Sequence, residues 1–178
     1  PSTETVYKVF ISSPSDLKEE RLRLKQEIES ITLPEVRLRA VRWEDDLPSV
    51  TTDDVQAEIN KLLKECDIVC GVFKSRFGSP TERYDSGTVE EIELNIELKK
   101  PVMLYFLDYS ISTNRTTTSE LDEISKIHSF KKKYQKKGIY HDCSDIDEAV
   151  KRFLKKDIEA NIKRIHSSTA ETIDELVV

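Results

Sequence analysis

The chain has 178 residues, 37% hydrophobic and 35% charged, which suits one globular domain with a solvated surface rather than two comfortable ones. Its formal charge of −6 argues against a general nucleic-acid binder, because phosphate binding needs a net basic face. No stretch resembles a signal peptide or approaches the length of a membrane span, so a cytoplasmic domain without membrane contact is expected.

"VYKVFIS" (6–12) reads as a strand and is followed by a charged helix over about 16–31. "VRLRAVRW" (36–43) alternates apolar and basic residues, as an edge strand covered on one face would. A helix over about 53–64 leads to "DIVCGVF" (67–73), whose continuous apolar character marks a buried central strand. "EIELNIEL" (91–98) alternates like a strand, but its Leu and Glu content and the need to connect two parallel strands favour a helix. "PVMLYFL" (101–107) is a further buried strand, a helix lies within 119–137, "GIYHDC" (138–143) is the fifth strand, and a last helix spans about 145–166. The basic "KKKYQKK" (131–137) reads as the solvated end of a helix, where cations suit the macrodipole.

Cys66, Cys70 and Cys143 are odd in number and lack C-x-x-C spacing, which predicts free thiols in a reducing compartment. His128, His141 and His166 are not spaced as metal pairs, so no metal site is expected. Strand–helix alternation repeated five times predicts an α/β domain: a flavodoxin-like three-layer sandwich with a five-stranded parallel sheet in the order 2-1-3-4-5. One domain is expected over 1–166, with 167–178 a frayed helix or a linker to further domains of a larger parent protein.

Thr88-x-x-Glu91 has the spacing of a capping box, as do Ser13/Asp16, Thr51/Asp54, Ser119/Asp122 and Ser144/Asp147. By itself that pattern makes Glu91 a helix starter, with Glu90 turned to solvent. Topology argues the other way. In an open parallel sheet, ligands bind beyond the carboxyl ends of the strands where strand order reverses, here between strands 1 and 3. The loops facing that crevice are "SSPS" (12–15) and the long connection from Lys74 to Thr88, which carries Arg76, Arg83, Tyr84 and Asp85 together with Gly78 and Gly87. Long connections of this kind are usually functional or disordered.

"VFISSPSDLKEER" resembles the first strand and loop of nucleoside 2-deoxyribosyltransferases, and Asp85-Ser86-Gly87-Thr88 before Glu91, with Lys100-Pro101-Val102 after it, resembles their second block. The "W-E" after strand 2 and "CDIVCGVFKSRFGS" bring the chain closer to a TIR-like family of unassigned function found at the N-terminus of STAND- or NACHT-type proteins. That resemblance covers about residues 6–107. It implies cleavage of an N-glycosidic bond by Glu91, with NAD the leading substrate, no required cofactor, and a role in immune or antiphage defence. Two departures stand against a standard transferase: Glu93-Leu94-Asn95 replaces the family's Gly-Tyr-Ala, and the later substrate-binding elements are not recognisable.

Around Glu91 the candidate binding residues are Ser12, Ser13, Pro14, Ser15, Trp43, Arg76, Tyr84, Asp85, Ser86 and Thr88. The 12–15 backbone would hold a phosphate or a ribose hydroxyl, or simply cap a helix with Pro14 at its first position. Arg76 would pair with a pyrophosphate or remain a solvated loop cation. Trp43 would stack on a base or cover the core. Tyr84 and Asp85 would gate or hydrogen-bond the base, with Asp85 the acid for a purine leaving group. The competing reading is a non-catalytic module that self-associates through opposite charges, to which the identity of residue 91 would be indifferent.

Overall fold

The structure, a computed structural model, describes residues 3–177. Residues 1, 2 and 178, at the outer limits of the expected domain and tail, lie outside the described residues. Five strands form one all-parallel sheet in the order β2-β1-β3-β4-β5: β1 (Thr5–Ser12), β2 (Val36–Val41), β3 (Ile68–Phe73), β4 (Val102–Leu107) and β5 (His141–Cys143). Helices cover both faces, and the architecture is the expected flavodoxin-like one. The central strands β3 and β4 are apolar because both of their faces are buried; β3 has no exposed position at all.

On one face lie α1 (Lys18–Ser30) and the C-terminal helical run, whose Leu24, Ile28, Ile158 and Ile162 meet Val9, Ile11, Cys70 and Tyr105 of the sheet. On the other lie α3 (Val55–Lys64), α4 (Gly87–Glu97) and α5 (Thr118–Tyr134), whose Ile59, Leu63, Ile92, Ile127 and Phe130 meet Phe10, Val69, Phe73 and Phe106. A short α2 (Trp43–Asp46) follows β2. The C-terminal run consists of α6 (Ile146–Glu148), a π-helical segment (Ala149–Leu154) and α7 (Lys155–Val177). It continues past the expected end at 166, with exposed side chains from His166 onward.

Gly71 sets how closely α4 approaches. A Cβ there would sit 3.0 Å from Leu104 Cδ1 and 3.1 Å from Ile92 Cδ1, so only glycine lets Ile92 lie flat on β3. Ser12 is paired with Gly71 in the sheet, and the α4 start is therefore brought down onto the end of β1.

The helix starts differ from the capping pattern. Helix α1 begins at Lys18 with Leu17 as an uncapped N-terminus, so Ser13/Asp16 forms no box and Pro14 is not in the first turn. Asp54 alone caps α3, accepting from the Ala57 amide. Thr117 and Glu120, not Ser119 and Asp122, form a reciprocal box, and Asp145 rather than Ser144 caps α6. Each of these ends is chosen by where the chain leaves its loop, which places the cap up to a few residues from the best local pattern. Asp67 has the structural role expected of it, accepting from the Lys8 amide at 2.9 Å. The basic 131–137 segment closes α5, with Lys131 paired to Asp142 and Lys137 to Glu93.

Candidate active site

The site is built where β1 ends, α3 begins and α4 begins. Ser86, not Thr88, caps α4: its hydroxyl accepts from the Val89 amide at 3.4 Å and donates to the Phe77 carbonyl at 2.6 Å. Thr88 lies inside the helix, buried, two residues past the cap. Glu91 is thereby freed from capping. Its carboxylate accepts from the Ser12 hydroxyl at 3.0 Å and from the Gln56 side-chain amide at 3.2 Å, and the residue is only 6% exposed. Capping does not account for its position.

Burial pushes the Glu91 carboxyl up to about 7, although the Ser12 and Gln56 hydrogen bonds and the nearby Arg21 charge act in the opposite sense. A buried carboxyl raised toward neutrality at the switch point is a candidate for acid or base chemistry, and its ionised form for attack on a cationic centre. The three cysteines are all buried and protonated, with Cys66 and Cys70 pushed up to about 12 and Cys143 to about 11 by burial, so none is a thiolate nucleophile at neutral pH. Among the described residues no group of three or more His, Cys, Asp or Glu side chains could hold a metal ion, and no helix is long and apolar enough to cross a membrane.

Glu90 is not turned to solvent. It is 2% exposed and accepts from Asn60 at 2.5 Å, Thr81 at 2.6 Å and Arg83 at 2.9 Å. Burial raises its pKa, but those three donors together hold it below the usual carboxylate range. Arg83 also makes two bonds to Asp54, the α3 cap, at 2.9 and 3.2 Å. Gln56 in turn donates to Asn60 at 3.1 Å. A polar chain therefore runs from Glu91 through Gln56, Asn60, Glu90 and Arg83 to Asp54.

The predicted binding residues separate into two sets. Ser12 touches Glu91 directly, and Ser13 accepts from Arg21 at 3.0 Å beside it. Arg21 is itself buried and forked onto Glu44 at 3.0 and 2.8 Å. Pro14 is buried near Gly78, which has φ +105°, so the 12–15 turn packs against the strand-3 connection. Ser86 shapes the α4 start, and Tyr84 is half-buried with its backbone bound to Thr81. Ser15, Arg76 and Asp85 are exposed, and Trp43, 42% exposed at the start of α2, does not cover the core.

Gln56 and Asn60 were not foreseen from the sequence, and neither was the burial of Glu90. The available signal was the spacing of Gln56, Ile59, Asn60 and Leu63, which puts two amides on the apolar stripe of α3.

A cavity of about 1030 Å³ lies elsewhere: it opens between Asp67, the α4–β4 turn, Gly138 and α7, and contains none of the predicted site residues. Glu91 lines neither described cavity, and the carboxylate is covered in this structure.

Comparison with known proteins places the chain in a family. The model of a domain of unknown function, DUF4062, matches residues 8–156, and the chain belongs to that family. No curated protein matches it. Among solved structures it is similar to an NADPH-quinone reductase from P. pentosaceus, at 13% identity and TM-score 0.34, over 79% of this chain and 83% of that one. It is also similar to an FMN-dependent NADH-azoreductase from Bacillus anthracis in complex with FMN, at 12% identity and TM-score 0.36, over 89% and 99% of the two chains.

Proposed function

We propose that this member of the DUF4062 family cleaves the N-glycosidic bond of a nucleotide, most simply NAD, with Glu91 as the catalytic carboxylate. The observation that supports the reading is the buried Glu91 carboxylate, held by Ser12 at the β1–β3 switch point and not used as a cap. In NAD the C1′–N bond breaks with its electron pair going to the pyridinium nitrogen. Nicotinamide then leaves neutral and no acid is needed, so one carboxylate suffices where most glycosidases need two. Glu91 stabilises or captures the positive charge that develops at C1′. Water completes the hydrolysis, its hydroxyl going to C1′ and its proton to solvent. Asp85, exposed at the α4 entrance, is the acid a purine leaving group would require.

The TIR-like resemblance extends the reading to an effector in immune or antiphage defence, within a larger parent protein carrying STAND- or NACHT-type modules. One observation favours the alternative of a non-catalytic, self-associating module: Glu91 is enclosed and lines neither of the two cavities described.

The test is nicotinamide release from NAD at high protein concentration, wild type against Glu91→Gln. Release that disappears in a folded Glu91→Gln protein supports the glycohydrolase. Equal release by the two removes Glu91 from the mechanism. No release from either, even when the domain is clustered artificially, favours the assembly module.

A further inference from the structure

Helix α3 presents one polar side chain to Glu91, and the rest of its polar face explains why it points there. The two N–H bonds of the Gln56 amide are both committed, one to Glu91 Oε2 at 3.2 Å and one to Asn60 Oδ1 at 3.1 Å. Rotating the amide would set its oxygen against two acceptors, so the orientation is determined from both sides. Asn60 is fixed by its own bond to Glu90. The amide oxygen lies over the first turn of α4, where a Cβ on Gly87 would stand 2.6 Å from it. Glycine at 87 leaves the space that Gln56 occupies. The N-terminus of α3 is held in place by Arg83, which binds its cap Asp54 and the buried Glu90 together. Gln56 is half-buried while Glu91 behind it is buried.

We propose that Gln56 is the positioning residue of this site: its amide fixes the Glu91 carboxylate, covers it, and must swing aside for a substrate to reach it. The strand-3 connection reaches the site through the same chain, since Arg83 and Thr81 hold Glu90, Glu90 holds Asn60, and Asn60 aims Gln56. Rearrangement of residues 81–83 on binding is thus coupled to uncovering the carboxylate. The inference takes its purpose from the glycosidic reading of Glu91, but its geometry does not depend on the substrate.

The experiment therefore reads Glu91 itself. The protein is labelled with ¹³C-carboxyl glutamate, and the Glu91 resonance is assigned by its loss in Glu91→Gln and followed against pH in wild type, Gln56→Met and Gln56→Ala. Met keeps the size of Gln and removes the donor; Ala removes donor and cover. The charged groups that also face Glu91, Arg21 from α1 and Glu90 from α4, are the same in all three. Loss of one hydrogen bond to a charged group raises the midpoint by about one pH unit in both variants. Carbodiimide coupling at pH 5, read by peptide mass, is expected to rise several-fold at Glu91 in Gln56→Ala and to stay near wild type in Gln56→Met. A midpoint unmoved in the Met variant overturns the positioning role. Equal coupling in all three proteins overturns the cover, and an Ala variant that does not melt cooperatively is replaced by Gln56→Ser for that arm. A midpoint that moves in a protein releasing no nicotinamide leaves the role of Gln56 standing and rejects NAD as the substrate.

Discussion

At the scale of single residues, one proton on Glu91 bears on stability and, in the proposed reaction, on rate. The carboxyl titrates at about 7 in the folded protein, against an unfolded value near 4.5, because it is buried. A group raised in this way contributes stability below the unfolded value and loses it as pH rises through about 7, because between the two values the folded state keeps a proton that the unfolded state has released. Wild-type stability should therefore fall between about pH 4.5 and 7 by of order 3 kcal/mol relative to a protein lacking the group. Glu91→Gln removes that slope but leaves one of the two donors, Ser12 or Gln56, facing an amide N–H, at a cost of about 1 kcal/mol. Urea unfolding at pH 5 and pH 8 should show the variant gaining on wild type by about 2–3 kcal/mol across that interval, and no gain would mean that Glu91 is not desolvated. The proposed cleavage has the opposite sign. Only the carboxylate form stabilises positive charge, so kcat/KM for nicotinamide release should rise with pH and level off above about pH 8.

At the scale of elements, the site depends on how low α4 sits on the sheet, which Gly71 determines. Gly71→Val would drive its methyls into Leu104 and Ile92, already 3.0 and 3.1 Å from a bare Cβ. The expected result is a loss of about 1–3 kcal/mol of stability, with a larger fractional loss of activity than of melting temperature. Activity that survives at wild-type level in a destabilised Gly71→Val protein would uncouple α4 height from the site. This layout was partly legible in the chain itself. Strand–helix alternation, with its apolar runs at β1, β3 and β4, pointed to the flavodoxin-like strand order, and that order placed the 12–15 turn and the α4 start at the switch point. Local pattern failed at the ends. Ser86 won the α4 cap over Thr88 because its hydroxyl also closes onto the Phe77 carbonyl, a contact across the loop that no four-residue motif contains. Glu90 was misplaced for the same reason: its partners Asn60, Thr81 and Arg83 come from α3 and the preceding loop. Adjacent carboxylates cannot be told apart by spacing when both are satisfied from elsewhere in the chain.

At the scale of the molecule, the question is how much of the chain the site needs. The last helix is anchored by Ile158 and Ile162, 0% and 6% exposed, and by the bond of 2.6 Å between the Tyr7 hydroxyl and His166. Beyond His166 its side chains are exposed, including Ile173 at 54% and Leu176 at 80%. Side chains that bury nothing stabilise little, so removing residues 168–178 should change stability by less than about 0.5 kcal/mol, a shift in melting temperature of under about 2 °C. Cutting before Ile158 should instead prevent cooperative folding, because it opens the core layer that α1 and the last helix share. Cooperative melts of the two truncations, with Glu91 titration as the local readout, separate these outcomes. A shorter protein that melts as wild type but no longer holds the Glu91 midpoint near 7 would show that the exposed helix end acts on the site at a distance. An unchanged midpoint would confine the site to the sheet, α1, α3 and α4, and leave the apolar positions Ile173 and Leu176 available for contacts outside this domain.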